Sequence, residues 1–239
     1  MQVSNRNIQS LVASLNKLNY EVYTRPYELN IVGIRTNNTT PNSFDDKLIV
    51  FYKDDKGINQ GKEYQITTDP GTYWLQKPMN VDGTAILKEG QYVKAYGVGK
   101  HKGQYDALTQ KKNVTVYRDY DRNAILDFNN GKETTGLYGI NIHKAGSDSS
   151  SVNKWSAGCQ VFKREADFNE FMNLAKKHKE LYGNDFTYTL IDERAYNRKV
   201  KRYSTYTGAI VLGVVAAYVL YRTYNKLPLI PEFIKKRIG

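Results

Sequence analysis

Residues 139–162 read GINIHKAGSDSSSVNKWSAGCQVF. Strand alternation puts Gly139, Asn141 and His143 on one face and Ile140 and Ile142 on the other, so His143 ends a strand on its polar side. Ser147–Ser151 forms a flexible loop of turn formers. Trp155-Ser156-Ala157-Gly158 then makes a tight turn. Cys159, the single cysteine of the chain, opens the next strand, Gln160–Phe162. This order of residues has a chemical reading. A thiolate attacks carbonyl carbons, and a neighbouring imidazole can take the thiol proton and stabilise the resulting charge. The backbone N–H groups around Gly158 and Cys159 can face a developing oxyanion, and glycine lets that backbone approach a substrate closely. The plainer alternative is a buried, hydrophobe-like Cys159 with His143 as a satisfied strand end. Tyr138 and Trp155 flank the motif, and they and Asn141 are candidates to line a groove, with core or rim packing as the alternative. His101 lies in the Gly/Lys-rich stretch Gly97–Gly103, where it either borders that groove or sits in a solvated turn.

Outward from this stretch the pattern is mainly β. Strand signals occur at Leu29–Arg35, Lys47–Lys53, Glu63–Thr67, Thr72–Leu75, Gln91–Val98 and Asn113–Arg118, with a closing strand at Phe186–Ile191. Two helices interrupt them. Ile8, Leu11, Val12, Leu15 and Leu18 recur at helical spacing and predict an amphipathic helix over 4–19. Phe168, Phe171, Met172, Leu174, Ala175, His178 and Leu181 form the apolar stripe of the second, which Gly183 ends. Residues 1–40 read as a helix–strand extension, 45–192 as the main domain and 194–239 as a tail. The N-terminus has no basic start followed by an apolar run, so no signal peptide is expected.

The chain has 239 residues, 40% of them hydrophobic, and a net charge of +11. The charge is unevenly placed: +2 over residues 1–193 and +9 over 194–239. A nucleic-acid footprint should lie on a folded face, so this distribution argues against nucleic acid and for an anionic surface such as a membrane. Within the tail, 203–221 carries no charged side chain. Its tyrosines could form interfacial belts, and it is a candidate transmembrane helix. Ala209, Gly213 and Ala217 fall at small-xxx-small spacing, which would allow self-association through the tail helix. A partner-packing helix is the other reading. With three histidines and one cysteine there is no zinc-ligand spacing, and neither a metal nor a cofactor is expected.

The segment Ile142-His143, a loop, then Ser156-x-Gly158-Cys159 resembles the catalytic signature of L,D-transpeptidases. Thr68-Asp69-Pro70-Gly71-Thr72-Tyr73 is similar to that family's upstream Thr-Pro-x-Gly-x-aromatic segment, and Lys47–Lys53 resembles its early core strand. The three occur in the family's order and cover about residues 45–192. The resemblance implies a β-rich catalytic domain acting on peptidoglycan stem peptides. Cys159 would be its nucleophile and His143 its base, with Ser156 shaping the turn and the Gly158 and Cys159 N–H groups forming the oxyanion hole. Two positions depart from the pattern. Ala157 stands where the family has a second histidine, and Gln160-Val161-Phe162 supplies no basic residue after the nucleophile. Hydrolysis of the acyl-enzyme is therefore as good an outcome as transpeptidation. The wording of 141–162 also resembles phage-encoded proteins, which would make this a viral cell-wall peptidase placed in the envelope or virion. The competing class is a non-enzymatic wall-binding or virion structural protein that retains the fold.

Overall fold

The computed structural model describes residues 1–128 and 131–195. The chain is mainly β. Eight strands close a barrel in the order β1 (Asn30–Arg35), β11 (Phe186–Asp192), β5 (Gly90–His101), β6 (Tyr105–Gln110), β9 (Ile142–Lys144), β10 (Gln160–Phe162), β3 (Asn59–Thr67) and β2 (Asp46–Lys53). A second, three-stranded sheet has the order β4 (Thr84–Leu87), β7 (Val114–Asp119), β8 (Glu133–Gly136). Closure leaves the barrel without free edges.

Residues 30–35, grouped by the sequence with an N-terminal extension, are instead a central barrel strand. β1 runs antiparallel to β2 (Ile31 opposite Val50) and parallel to β11 (Ile31 opposite Tyr188). Five of its six residues are buried, as expected for a strand covered on both faces. Gly33 is required there, because a Cβ would overlap the Tyr188 hydroxyl. Met1–Glu193 forms one compact unit.

Helix α1 (Asn5–Lys17) lies on β3, with Ser4 as its N-cap accepting from the Asn7 N–H at 3.2 Å. Helix α3 (Glu165–Tyr182) buries Phe168, Phe171, Met172 and Ala175 in the same apolar cluster as Ile31, Val50 and Leu190. Gly183, at φ +87°, ends it as the sequence suggests. Tyr64, Tyr96 and Tyr188 are fully buried in the core.

Thr72–Leu75 is not a strand. It forms the short helix α2 (Thr72–Gln76), tied by the Trp74 indole N–H to the Lys154 carbonyl at 3.0 Å. Strands β4, β6 and β8 had no counterpart in the sequence reading. Among the described residues no helix is long and apolar enough to cross a membrane. The candidate transmembrane helix 203–221, the C-terminal hydrophobic helix of the sequence reading, lies outside the described residues.

Candidate active site

Strands β9 and β10 pair in parallel, with Gln160 opposite Ile142 and Val161 opposite His143. The ladder continues one residue back through the Gln160 N–H, which donates to the Asn141 carbonyl at 2.9 Å. Cys159 therefore stands beside Asn141, and alternation brings Cys159, Asn141, His143 and Val161 to one side of the two strands. The other side is the barrel interior, where Ile142 packs in the core and Gln160 Oε1 accepts from the Tyr188 hydroxyl at 2.8 Å. Cys159 is half-buried and packs against Phe44, Ala145, Val152 and Val161. Its Sγ accepts from the Asn141 N–H and donates to the Gly139 carbonyl, both at 3.5 Å.

The structure brings His101 to the same place. It ends β5, is buried, and stacks on His143 with ring centroids 4.0 Å apart and 20° between planes. The solvated-turn reading of His101 is thus replaced by a built contact. Hydrogen bonds assign both tautomers. His143 Nδ1 lies 2.9 Å from the Lys144 carbonyl, which only accepts, so Nδ1 carries the proton and Nε2 keeps its lone pair. Asn141 Oδ1 accepts from the Gln110 N–H at 2.9 Å, which fixes the amide. Its Nδ2 then donates to His101 Nδ1 at 3.1 Å, leaving the His101 proton on Nε2. The Tyr105 hydroxyl lies 3.4 Å from both His143 Nδ1 and the Lys144 carbonyl and completes the cluster. No sequence signal beyond its place in the β5–β6 hairpin marked Tyr105.

Burial sets the charges. It pushes His143 down to about 3, with neighbouring His101 acting the same way and the Lys144 carbonyl opposing. Burial and then Lys102 lower His101. Burial raises the Cys159 thiol, against the lowering effects of the Asn141 N–H and Lys102. The resting pair is consequently a neutral thiol and a neutral imidazole, not the ion pair that Cys–His proximity suggests.

The turn before Cys159 is organised by Ser156, which is fully buried. Its Oγ donates to the Cys159 carbonyl at 2.8 Å and accepts from the Gly158 N–H at 3.1 Å. Ser156 thus holds the turn, while the Gly158 N–H is already engaged and does not stand open as an oxyanion donor. The Cys159 N–H has no acceptor among the described residues. Gly158 has φ +120°, and a Cβ there would overlap the Ala85 carbonyl oxygen, so both conformation and space demand glycine. The 68–73 segment docks from the other side. The Gly71 N–H donates to the Ser156 carbonyl at 2.9 Å, and a Gly71 Cβ would overlap Asn153 backbone.

A cavity of about 200 Å³ adjoins this turn, lined in part by Ala157, Ala85, Trp74, Tyr138 and Arg118. Tyr138 is thus a pocket wall, stacked under the Arg118 guanidinium at 4.6 Å. Trp155 does not line this cavity. It is 45% exposed and its ring packs on Gly146. Arg118, on β7, was not singled out by sequence, because a basic residue near a strand end carries no signal alone. Among the described residues no group of three or more His, Cys, Asp or Glu side chains is placed to hold a metal. No protein-family model, curated protein or solved structure matches this chain.

Proposed function

We propose that the protein is a cysteine-dependent enzyme of L,D-transpeptidase type that modifies peptidoglycan stem peptides through an acyl-enzyme on Cys159. The observation that carries this reading is Cys159 and His143 on one face of adjacent parallel strands, with His143 Nδ1 tied to a backbone carbonyl and Nε2 left as the base. Sγ attacks the scissile carbonyl carbon as the thiol proton passes to His143 Nε2. The tetrahedral intermediate collapses to a thioester, and the leaving amine takes that proton from the imidazolium. Water gives hydrolysis or an amine gives transpeptidation: His143 takes the incoming nucleophile's proton, the C–S bond breaks, and that proton returns to the departing Cys159 Sγ. The Cys159 N–H is the backbone donor available to the oxyanion. No cofactor enters this sequence of steps.

One observation favours a second reading. The Cys159 thiol donates to the Gly139 carbonyl, and among the described residues no hydrogen bond joins it to His143, which is also what a disused site would hold. This is the non-enzymatic wall-binding or virion structural protein that keeps the fold. The test is mass spectrometry of purified muropeptides incubated with the full-length protein and with Cys159→Ser. New or shortened stems with wild type alone support the enzyme. Unchanged muropeptides together with sedimentation of the protein on cell walls support the binding protein.

A further inference from the structure

Among the described residues, buried guanidinium groups are of two kinds. Arg35, at the end of β1, is fully buried with Asp69 Oδ1 at 2.9 Å and Asp192 Oδ2 at 3.7 Å. Arg118 is 6% exposed and has no carboxylate partner among the described residues. Its Nε donates to Thr134 Oγ1 at 3.0 Å and its Nη1 to the Gly83 carbonyl at 3.2 Å, while Nη2 has no acceptor there. Asp119, next in the strand, accepts instead from the Asp127 N–H at 3.0 Å. A buried cation without an anion is unfavourable unless something supplies the charge.

The position of this cation gives its meaning. Arg118 is paired across the sheet with Ala85, and the Ala85 carbonyl packs directly on Gly158, the residue before the nucleophile. Arg118, Ala85 and Ala157 line the same cavity, with Trp74 and Tyr138 as aromatic walls. Thr134, Gly83 and the Tyr138 ring hold the guanidinium in one orientation. A planar fork so held matches a carboxylate, and the burial of Arg118 strengthens the attraction.

We propose that Arg118 forms a carboxylate subsite beside the Cys159 turn and selects acyl-donor peptides that carry a free carboxylate close to the scissile bond. The proposal rests on the acyl-transfer reading and narrows its substrate class. A stem peptide offers carboxylates on its side chains and at its C-terminus, so each is a possible source of the same chemistry.

The experiment is calorimetric titration of full-length Cys159→Ser with a synthetic stem tetrapeptide, then with forms in which each carboxylate in turn is a carboxamide. Turnover of the same peptides by wild type runs in parallel. One amidation should weaken binding by about 10- to 100-fold, the range of a charge-assisted hydrogen bond, and the others should not. In the Arg118→Gln background that difference should disappear, and Arg118→Lys should restore part of it. Equal affinity for all the amidated forms overturns the subsite, and this comparison does not depend on any Arg118 variant folding. Turnover without carboxylate discrimination overturns the subsite alone. Neither binding nor turnover of any peptide overturns the subsite and the acyl-transfer reading together.

Discussion

At the scale of single residues, Cys159 and His143 make separate predictions. Cys159→Ser should reduce turnover by at least ~10³-fold, as other nucleophile deletions do, with little change in melting temperature because the side chains are nearly isosteric. Because the thiol is raised and both imidazoles are neutral, iodoacetamide labelling should keep rising beyond the ordinary thiol range rather than reach a plateau near pH 6–7. His143→Ala should leave that labelling curve nearly in place while lowering kcat, since a neutral ring contributes a base and not a charge. A plateau near neutrality in wild type, abolished by His143→Ala, would establish an ion pair instead. The same burial ties His143 to stability. Its folded value of about 3 lies below the unfolded one, so the unfolded chain binds the extra proton as pH falls through about 6.5. Stability should therefore decline from pH 7 toward pH 4. His143→Gln should flatten the slope by up to about 1.4 kcal/mol per pH unit, read from urea unfolding at each pH. Asp119, raised to about 6 by burial, acts in the opposite sense because its folded form holds the proton longer, so the variant-to-wild-type difference is the clean measure. The placement of this pair, His143 on a strand and Cys159 after a glycine turn, was legible in the sequence because strand alternation and turn chemistry are local. Its charge state was not, because the groups that bury it, Phe44 and the end of β5, lie far away in the chain.

At the scale of elements, the Ser156–Cys159 turn is the part that tolerates least. Gly158→Ala should destabilise by about 2–4 kcal/mol, from the positive φ and the collision with the Ala85 carbonyl together, and should abolish labelling contrasts between native and unfolded protein at Cys159. Gly57, at φ +75° in the β2–β3 hairpin with open space around it, is the control, and its replacement by Ala should lose only about 1 kcal/mol. Equal losses at the two sites in urea titrations would show that the turn is not clamped. Long strands such as β2 and β5 announced themselves through runs of β-branched and aromatic residues. β4 and β8 are four residues each, too short for a period to emerge. Thr72–Leu75 carries residues that favour strands, and tertiary contacts overrode that preference, chiefly the Trp74 bond to Lys154. The partnership of the 68–73 segment with the Ser156–Cys159 turn could be guessed from their order in the resemblance. The hydrogen bond from Gly71 to Ser156 that makes it physical could not.

At the scale of the molecule, the near-neutral barrel and the basic tail should separate cleanly. Met1–Glu193 is one compact unit closed without residues 194–239, so truncation after Glu193 should yield a folded protein with the full-length melting temperature and activity. Residues 203–221 should hold the full-length chain in membranes. Val215→Lys should weaken that retention, because a lysine near the centre of a span costs roughly 2.5–3.5 kcal/mol. High salt should release a chain held only by its +9 tail charge and leave a spanning helix in place. Full-length protein remaining in the supernatant of a low-salt vesicle pelleting assay would defeat both modes of anchoring. Barrel closure itself could not be read from the sequence, since the pairing of Ile31 with Tyr188 leaves no local trace.

That parallel seam between the first and last barrel strands also sets a timetable. Synthesis delivers β1, β2 and β3 early, yet β1 keeps one side unpaired until Phe186–Asp192 leaves the ribosome. Cys159 and His143 have both been made by then, but the barrel that supports them is still open. Non-local pairing of this kind slows folding and prolongs exposure of apolar strand edges to other chains. Premature termination anywhere before β11 therefore leaves an adhesive fragment, not a weaker version of the protein. A nascent chain passes from sticky to finished in one late step.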